Sequence, residues 1–505
     1  MKESLILVFS VLVSVISVAQ PDSLWGVVFA GSKSDRAEAI VVSETGAIFL
    51  KGSSTSRDGD FTGNEEDIGA WAAKVSEQGQ VEWINVFDDG YYERIGGISL
   101  TYDGNLLGVG GREIPGRNAD FWVFLLNPSG QMLWEVTYGG TESEGASTAL
   151  ALENGHYLIA GGSYSSDGDK TDYFGGYDIW LIELDELGNL VWETSLGGSG
   201  DEDPEQIIPH EAGYLILGTT SSGDGHVTHA RGASDIWLVK VDSVGHVLWD
   251  RSYGGSDTDY SIQMIKKEDG GYLLLGATSS TDQQIYVPKG ETDFWLVELS
   301  PSFIVNWSRN LGGSNSDLPD GLFQTHGNTF ILAGQTSSED GDISTNKGSS
   351  DGWILEVDHF GEILWEKTIG TPYIDLFYSI APSTTDEGFF IAMTKPDQWN
   401  YFDALLIKYG PPYPKLTSED TCPSFSLSPN PLPGSGLSIR FTEPLTFDGQ
   451  IRLYDMLGRE FFRAPAYFGG LEYSITLPEN LPPGQYVVEL QSAGLFCREK
   501  LMVAR

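Results

Sequence analysis

Tryptophan recurs along most of this chain at regular intervals. Six pairs of tryptophans are each separated by 12 residues, and successive pairs begin 51, 58, 57, 58 and 58 residues apart. Of 14 tryptophans, 13 fit this pattern, with Trp25 as an unpaired second member and Trp399 as the exception. A fixed period of this length indicates a repeat fold, in which similar units pack side by side. The pairs are Trp71 and Trp83, Trp122 and Trp134, Trp180 and Trp192, Trp237 and Trp249, Trp295 and Trp307, and Trp353 and Trp365.

Each repeat unit contains four short apolar segments separated by turns. The unit that starts at Ser261 predicts strands at 261–266, 272–276, 293–299 and 304–309. In another repeat unit, the turn between the third and fourth strands is Asp185-Glu-Leu-Gly-Asn189, which fits a type I turn with a G1 bulge. Four antiparallel strands in about 40–60 residues are typical of a β-propeller blade.

The position of this turn predicts where the two tryptophans of a hairpin lie. If Asp185 pairs with Asn189, Ile182 lies opposite Trp192, and Trp180 shares their face. Both indoles would then press against the adjacent sheet. The alternative is a ladder of exposed aromatic rings that stack on sugars, but repeat folds need constant packing between units, which favours the structural interpretation.

The number of third strands predicts the number of blades. Seven can be counted, the last at 403–409 with Leu405 in place of Trp, and no fourth strand follows it. An unpaired fourth strand, Leu24–Phe29, instead precedes the first complete unit. A ring closed in this way has no open sheet edge. We therefore predict an all-β fold: a seven-bladed β-propeller at 20–409, closed by its N-terminal strand.

The segment Leu184-Asp-Glu-Leu-Gly-Asn-Leu-Val-Trp192 resembles the Trp-docking repeats of quinoprotein dehydrogenases and related propellers. The resemblance covers about ten residues per blade. It implies a packing role only, because the chain has no matching quinone or metal site.

The N-terminus predicts export. The apolar run Leu5–Val18 is too short to span a bilayer, and Ser17-Val18-Ala19 ends it with small residues where a signal peptidase cleaves. We predict a signal peptide at 1–19, with a signal anchor as the alternative, and no later transmembrane segment. With 72 acidic and 29 basic residues, the net charge is −43, and no basic stripe is present, which argues against nucleic acid as a partner.

The last part of the chain has a different composition. The Pro-rich segment 410–421 predicts a linker, and the short strands of 422–505 predict a small antiparallel β-sandwich. Four motifs in order, 427–431, 451–459, 481–490 and 499–503, resemble the type A C-terminal sorting domain of type IX secretion in the Bacteroidota. The matching residues are Pro429, Asn430, Pro431, Tyr454, Asp455, Gly458, Arg459, Pro483, Gly484 and Tyr486.

This resemblance implies a partner and a location. The partner is the outer-membrane type IX secretion machinery, and the protein is secreted or attached to the outer cell surface, usually after a sortase-like peptidase removes the domain. A fibronectin-like spacer is the alternative. The only two cysteines, Cys422 and Cys497, are not part of the family's pattern, and a disulfide between them is one of two open outcomes.

One polar motif recurs, in the loop between the second and third strands. Asp-Gly-Asp suits calcium, which prefers oxygen ligands from flexible loops, but the same residues also form Asx turns. No other cofactor is predicted. The candidate residues are Asp58, Asp60, Asp167, Asp169, Asp340 and Asp342.

These features favour a non-enzymatic binding protein with a glycan or protein ligand. No catalytic signature occurs, and the seven histidines do not recur at one repeat position. The alternative is an extracellular hydrolase or lyase that acts on polysaccharide. In both cases we expect the ligand on the rim that carries the long second-to-third loops, because long loops on a rigid scaffold commonly carry binding sites.

Overall fold

The computed structural model describes residues 21–503, with gaps at 65–67, 89–91, 268–269, 286–287, 326–328, 397–400, 411–424, 431, 456–459, 479–480 and 493–494. It divides into two compact units, one at Pro21–Pro411 and the other in the C-terminal residues from Pro412. The predicted signal peptide at 1–19 lies outside the described residues. Strands dominate both units, and Gly59–Phe61 forms one turn of 3-10 helix. Within the described part of the chain, no helix is long and apolar enough to cross a membrane.

The first unit is propeller-like and consists of four-stranded antiparallel sheets. Seven such sheets occur among its described residues, and in each the strands pair in the order first, second, third, fourth. Sheets 1 to 4 contain Asp35–Val42, Ile48–Ser54, Gly69–Val75 and Val81–Phe87; Glu93–Leu100, Leu106–Glu113, Ala119–Leu126 and Met132–Tyr138; Glu144–Ala151, Tyr157–Ser163, Asp178–Leu184 and Leu190–Leu196; and Glu202–His210, Gly213–Thr220, Asp235–Asp242 and Val247–Tyr253. Sheets 5 to 7 contain Asp259–Lys266, Tyr272–Thr278, Asp293–Leu299 and Val305–Leu311; Asp317–Gln324, Phe330–Thr336, Asp351–Val357 and Ile363–Ile369; and Phe377–Pro382, Phe389–Pro396, Phe402–Tyr409 and Ser23–Phe29.

The N-terminal strand is the fourth strand of sheet 7. Ser23–Phe29 pairs antiparallel with Phe402–Tyr409, and Trp25 lies opposite Lys408. In sheet 3, Trp192 lies opposite Glu183, three residues after Trp180. Lys408 likewise follows Leu405 by three residues, so the first strand in the chain has the register of a fourth strand.

Consecutive sheets pack through their first strands. The first strand of each sheet contacts the first three strands of the preceding sheet, and the first strand of sheet 1 has the same contacts with sheet 7. The second and third strands are almost wholly buried, as their continuous apolar runs predict.

The two tryptophans of a hairpin lie on opposite faces, so the predicted register was wrong. Ile182 lies opposite Glu193, and a bulge between Glu183 and Leu184 leaves Val191 without a partner. This extra residue reverses the face on which the rest of the fourth strand lies. Trp192 consequently lies on the face opposite to Trp180.

The tryptophans nevertheless have the predicted packing role. In six hydrophobic clusters, a third-strand tryptophan meets the fourth-strand tryptophan of the preceding sheet. All six third-strand tryptophans are at most 1% exposed. One of these clusters joins Trp71 of sheet 1 to Trp25 of the N-terminal strand.

The second unit is one five-stranded sheet around its own hydrophobic core. Two predicted strands, 437–441 and 450–455, are parts of one long strand that pairs with different partners at its two ends. The predicted sandwich is therefore a single hydrogen-bonded sheet in the described residues. Its strands are Phe425–Ser428, Gly436–Asp455, Glu460–Thr476, Gly484–Ser492 and Leu495–Val503.

Candidate functional site

The six aspartates of the Asp-Gly-Asp loops accept hydrogen bonds from backbone N–H groups. Asp167 Oδ1 accepts from Thr141 N at 2.9 Å, and Asp169 Oδ2 accepts from Gly139 N at 3.1 Å. Asp58 and Asp60 bind the N–H groups of Ser32 and Ala30, and Asp340 and Asp342 bind those of Ser314 and Gly312, at the same sequence separations of 26 and 30 residues. These carboxylates therefore tie each second-to-third loop to the loop that enters the same sheet.

These bonds join two loops and are not the Asx turns of the alternative, in which an aspartate bonds the backbone of its own turn. Asp342 also forms an ion pair with Lys289. Among the described residues, no three or more His, Cys, Asp or Glu side chains form a group that could hold a metal ion. Calcium binding by these loops stays a prediction.

A second set of acids lies at the start of the first strands, and the sequence shows two of them, Asp259 and Asp317, as acids that follow a Gly-Gly-Ser segment. Asp317 is fully buried and accepts from Gly313 N at 2.7 Å, Thr336 Oγ1 at 2.5 Å and Ser338 Oγ at 3.0 Å. Burial raises the pKa of Asp317, although these hydrogen bonds oppose the shift. The sequence signal is an acid four residues after the N–H group that it binds. The same i to i+4 bond recurs at Asp35, Glu144, Glu202, Asp259 and Asp375.

Each first strand also contains a β-bulge, and its inserted residue lies three positions after the buried acid in all seven sheets. The bulge inserts one residue without a partner on the second strand, and bulges of this kind redirect a side chain. In sheet 4, Glu205 is the inserted residue, between Pro204 opposite Gly218 and Gln206 opposite Leu217. The seven inserted residues are Glu38, Gly96, Ser147, Glu205, Ile262, Asp320 and Tyr378.

A glycine on the second strand makes room for the bulge in six sheets. A Cβ atom at Gly218 would lie 2.4 Å from the Asp203 carbonyl oxygen, and one at Gly334 would lie 2.1 Å from that of Leu318. Both distances are shorter than a side chain tolerates. Sheet 7 has Met393 in this position.

The inserted residues converge. Glu205, Ile262 and Asp320, from sheets 4, 5 and 6, line one cavity of about 580 Å³. The inserted tyrosine of sheet 7, Tyr378, has a pKa raised to about 12, first by burial, with smaller contributions from the nearby charges of Glu38 and Asp320. The bulges therefore bring side chains from distant parts of the sequence to one place.

The cavity opens on the rim that carries the long loops. Loop residues Asp201, Ser221, Ser234 and Thr258 line it, together with first-strand side chains. None of the six Asp-Gly-Asp aspartates is among its lining residues. The full lining is Asp201, Asp203, Glu205, Thr219, Ser221, Ala233, Ser234, Thr258, Tyr260, Ser261, Ile262, Ala277, Leu318, Pro319, Asp320 and Gln335.

The surroundings of the carboxyl groups in this cavity disfavour their ionised form. Burial raises the pKa of Asp320 well above its ordinary value. Burial, and then the negative charge of Asp203, raise the pKa of Glu205 to about 8. The Glu205 side chain is exposed to the solvent in the cavity, so its burial consists of the protein walls around the cavity and not of a loss of solvent contact. Burial also raises the pKa of Asp203, and the charge of Arg94 partly offsets this shift.

The described residues of the sorting motif hold the second unit together. Asn430 donates from Nδ2 to the Lys500 carbonyl oxygen at 2.8 Å and accepts at Oδ1 from Met502 N at 2.8 Å. Tyr454 donates to Glu489 at 3.3 Å, and the buried Tyr486 donates to the Pro482 carbonyl oxygen at 2.8 Å.

The remaining motif residues and the cysteines are only partly described. Asp455 and Gly484 lie in strands, and Pro483 directly precedes one. Pro431, Gly458 and Arg459 lie outside the described residues. Cys497 is buried and disulfide-bonded, but Cys422 lies outside the described residues, so their pairing stays a prediction.

Comparisons with known proteins leave the family open. No protein-family model matches the chain. Regulatory protein FlaEY of Caulobacter vibrioides is 25% identical over 186 residues, which are 34% of this chain and 19% of that protein. The chain thus spans about a fifth of the length of this curated relative.

Several solved structures have partial similarity to the chain. The GH93 α-L-arabinofuranosidase of Fusarium graminearum with arabinobiose is 12% identical, covers 61% of this chain and 91% of its own, and has a TM-score of 0.41. Drosophila Plexin A in complex with Semaphorin 1b is 10% identical, covers 78% and 88%, and has a TM-score of 0.44. These values carry no inference about ligand or reaction.

Proposed function

We propose that the chain is an exported seven-bladed β-propeller, closed by its N-terminal strand, which binds a ligand in the cavity at the bulges of sheets 4 to 6. Closure is supported by a repeated aromatic contact. Phe29 of the N-terminal strand packs on Trp71 of sheet 1 with ring centroids 5.3 Å apart, and Phe87 of sheet 1 packs on Trp122 of sheet 2 at 5.2 Å.

A repeated hydrogen bond between first strands supports closure as well. Gln206 Oε1 accepts from Met264 N across sheets 4 and 5, and Gln263 Oε1 accepts from Leu322 N across sheets 5 and 6. At the equivalent position of sheet 7, Ser379 Oγ accepts from Ile40 N of sheet 1 at 3.3 Å.

The binding proposal rests on a difference between two recurring positions of the first strand: the buried acid and the inserted residue at the bulge. The buried acid of the first strand is Asp or Glu in every sheet, because it has the same scaffold role each time. The inserted residue at the bulge differs from sheet to sheet. Positions that share a geometry but not a residue type are where one specific ligand site can arise on a repeat scaffold.

Export through the type IX machinery is the second part of the proposal. It is supported by the sorting-domain resemblance and by the separate compact unit that the C-terminal residues form. A chain truncated at Pro414 should fold but remain in the periplasm of a host with this secretion system. Efficient secretion of the truncated chain would contradict this part of the proposal.

The binding proposal is tested with glycan and protein arrays on the mature chain and three variants. Glu205→Gln and Asp320→Asn change the cavity while keeping side-chain shape. Glu186→Gln removes an exposed charge from a tight turn on the opposite rim and is the matched control. We expect a ligand whose binding weakens in the first two variants only. A ligand that is insensitive to both would place binding elsewhere.

An extracellular enzyme that acts on polysaccharide is the second candidate. Because the pKa of Glu205 is raised to about 8, this carboxyl holds its proton at neutral pH, as a general acid requires. A hydrolysis assay on each glycan that binds in the array distinguishes the two functions. Product release that Glu205→Gln abolishes would support the enzyme.

A further inference from the structure

The cavity proposed above contains acceptor atoms that no protein group satisfies. Asp320 Oδ2 and Gln335 Oε1 are both buried and have no hydrogen-bond partner. Leaving a buried acceptor unpaired is costly, and the cost is highest for a charged group. Both residues line the cavity, so a ligand bound there is the nearest source of the missing donors.

The charges around the cavity are all of one sign. Four carboxyl groups line it, from Asp201, Asp203, Glu205 and Asp320, and no Lys, Arg or His is among its lining residues. The cations nearest these acids act from other sheets. Arg94 of sheet 2 lowers the pKa of Asp203 but has no such effect on Glu205 or Asp320.

One basic group near the bulges, Lys51, is already paired. Lys51 Nζ lies 2.9 Å from Glu38 Oε2, and Lys51 is 6% exposed. It is therefore not available to neutralise the acids of the cavity. A cationic group on a ligand would favour the ionised form of these acids and pair with it.

A single metal ion does not fit these observations. No cluster of three or more possible metal ligands occurs in the part of the chain that the structure describes. The cavity also has organic walls, formed by Tyr260, Ile262, Leu318 and Pro319. Tyr260 is 48% exposed, so its ring is free to contact a ligand. Aromatic rings bind both sugar faces and organic cations.

We infer that this cavity takes an amino sugar, whose protonated amine pairs with Asp320 while a hydroxyl group donates to Gln335. This inference rests on the proposed binding function and names its ligand class. Asp203 would add negative charge around the amine, the Glu205 carboxyl would offer a further hydrogen-bonding group, and Tyr260 would contact the sugar ring. The volume of about 580 Å³ is within the range of small-molecule sites.

The test is isothermal titration calorimetry on the mature full-length chain with two matched probes. One probe is the β-1,4-linked tetramer of glucosamine, and the other is the same tetramer fully N-acetylated. The two differ in charge at every ring but share the sugar frame. We expect the amine tetramer to bind at least about tenfold more tightly, because a charged hydrogen bond is lost on acetylation.

Three variants locate the interaction. Asp320→Asn should weaken the amine tetramer by about tenfold to a hundredfold, and Gln335→Leu should weaken it by about tenfold or less. Glu186→Gln should leave the affinity unchanged. Circular dichroism checks folding, and if Asp320→Asn does not fold, Gln335→Leu decides: unchanged affinity in that variant overturns the inference.

Other outcomes separate this inference from the proposed function. Equal affinity for the two tetramers, or full affinity in Asp320→Asn, would overturn the inference. If neither tetramer binds but the arrays find another ligand that Asp320→Asn weakens, the amino-sugar inference fails and the binding function stands. If no ligand on any array depends on the cavity, both fail.

Discussion

Replacing Phe29 by alanine tests the role of the N-terminal strand. Phe29 is 1% exposed and lies in a cluster with Phe61 and Trp71 of sheet 1 and with Ala404 and Leu406 of sheet 7. The substitution removes a buried aromatic side chain from the contact between the last sheet and the first. A buried Phe→Ala change costs about 3–5 kcal/mol of unfolding free energy, because apolar burial is lost and a cavity remains.

Two further variants calibrate this value. Phe87→Ala removes the equivalent side chain between sheets 1 and 2, where the ring packs on Trp122 at 5.2 Å. Phe87 is only partly buried, so the cost of Phe87→Ala should be smaller than that of Phe29→Ala, at about 2–3 kcal/mol. Val28 is 47% exposed on the same N-terminal strand, and Val28→Ala should cost about 0.5 kcal/mol or less.

The assay is urea unfolding of the mature chain, followed by circular dichroism and tryptophan fluorescence. Phe29→Ala should cost the most unfolding free energy, Phe87→Ala should come next, and Val28→Ala should stay close to the parent. If Phe29→Ala costs about 0.5 kcal/mol or less while Phe87→Ala costs several, the N-terminal strand is not part of the ring.

Three more predictions follow from the acids. Asp317→Ala should destabilise the chain by about 2–5 kcal/mol in the same assay, because the Gly313 N–H and two hydroxyl groups lose their shared acceptor. An unchanged midpoint of urea unfolding would contradict the scaffold role of Asp317. The pKa of Glu205 is raised to about 8 in the folded chain, so folding takes up a proton at pH values between the ordinary carboxyl pKa and 8. The contribution of this group to the unfolding free energy is therefore full at low pH and is lost as pH rises toward 8. Glu205→Gln should therefore gain stability relative to the parent between pH 5 and 8, as thermal melts would show, and a constant difference would refute the shift. Calcium titrated calorimetrically into the parent and into Asp167→Ala/Asp169→Ala should give heat only with the parent if these loops bind the ion, and no heat with either would leave the aspartates as hydrogen-bonding links between the two loops.

The repeat made the strands predictable, because period and apolar runs are local properties of the sequence. The segment Asp293–Leu299 was predicted with its observed bounds. The faces of the paired tryptophans were not predictable in the same way. Their register depends on one inserted residue after the turn, at Val191, and a shift of one residue reverses the face.

The cavity was harder to predict than the scaffold. Asp201, Asp203 and Asp320 were visible as loop acids, but nothing in their spacing shows that a bulge redirects Asp320 toward Glu205. Glu205 and Asp320 lie more than 100 residues apart in the chain, in sheets 4 and 6, and only the fold places both on one cavity. The buried acids were predictable in principle, since each follows its Gly or Thr partner by four residues.

Cysteine trapping of the N-terminal strand tests the closed ring most directly. Val28 lies opposite Leu405, and Gly26 lies opposite Ile407. The double variant Val28→Cys/Leu405→Cys of the mature chain should form an intramolecular disulfide on mild oxidation, identified as a linked peptide by mass spectrometry. The register-shifted control Val28→Cys/Ile407→Cys should not. No link in the first variant, equal linking in both, or a link only between molecules would contradict a ring closed by its own N-terminal strand.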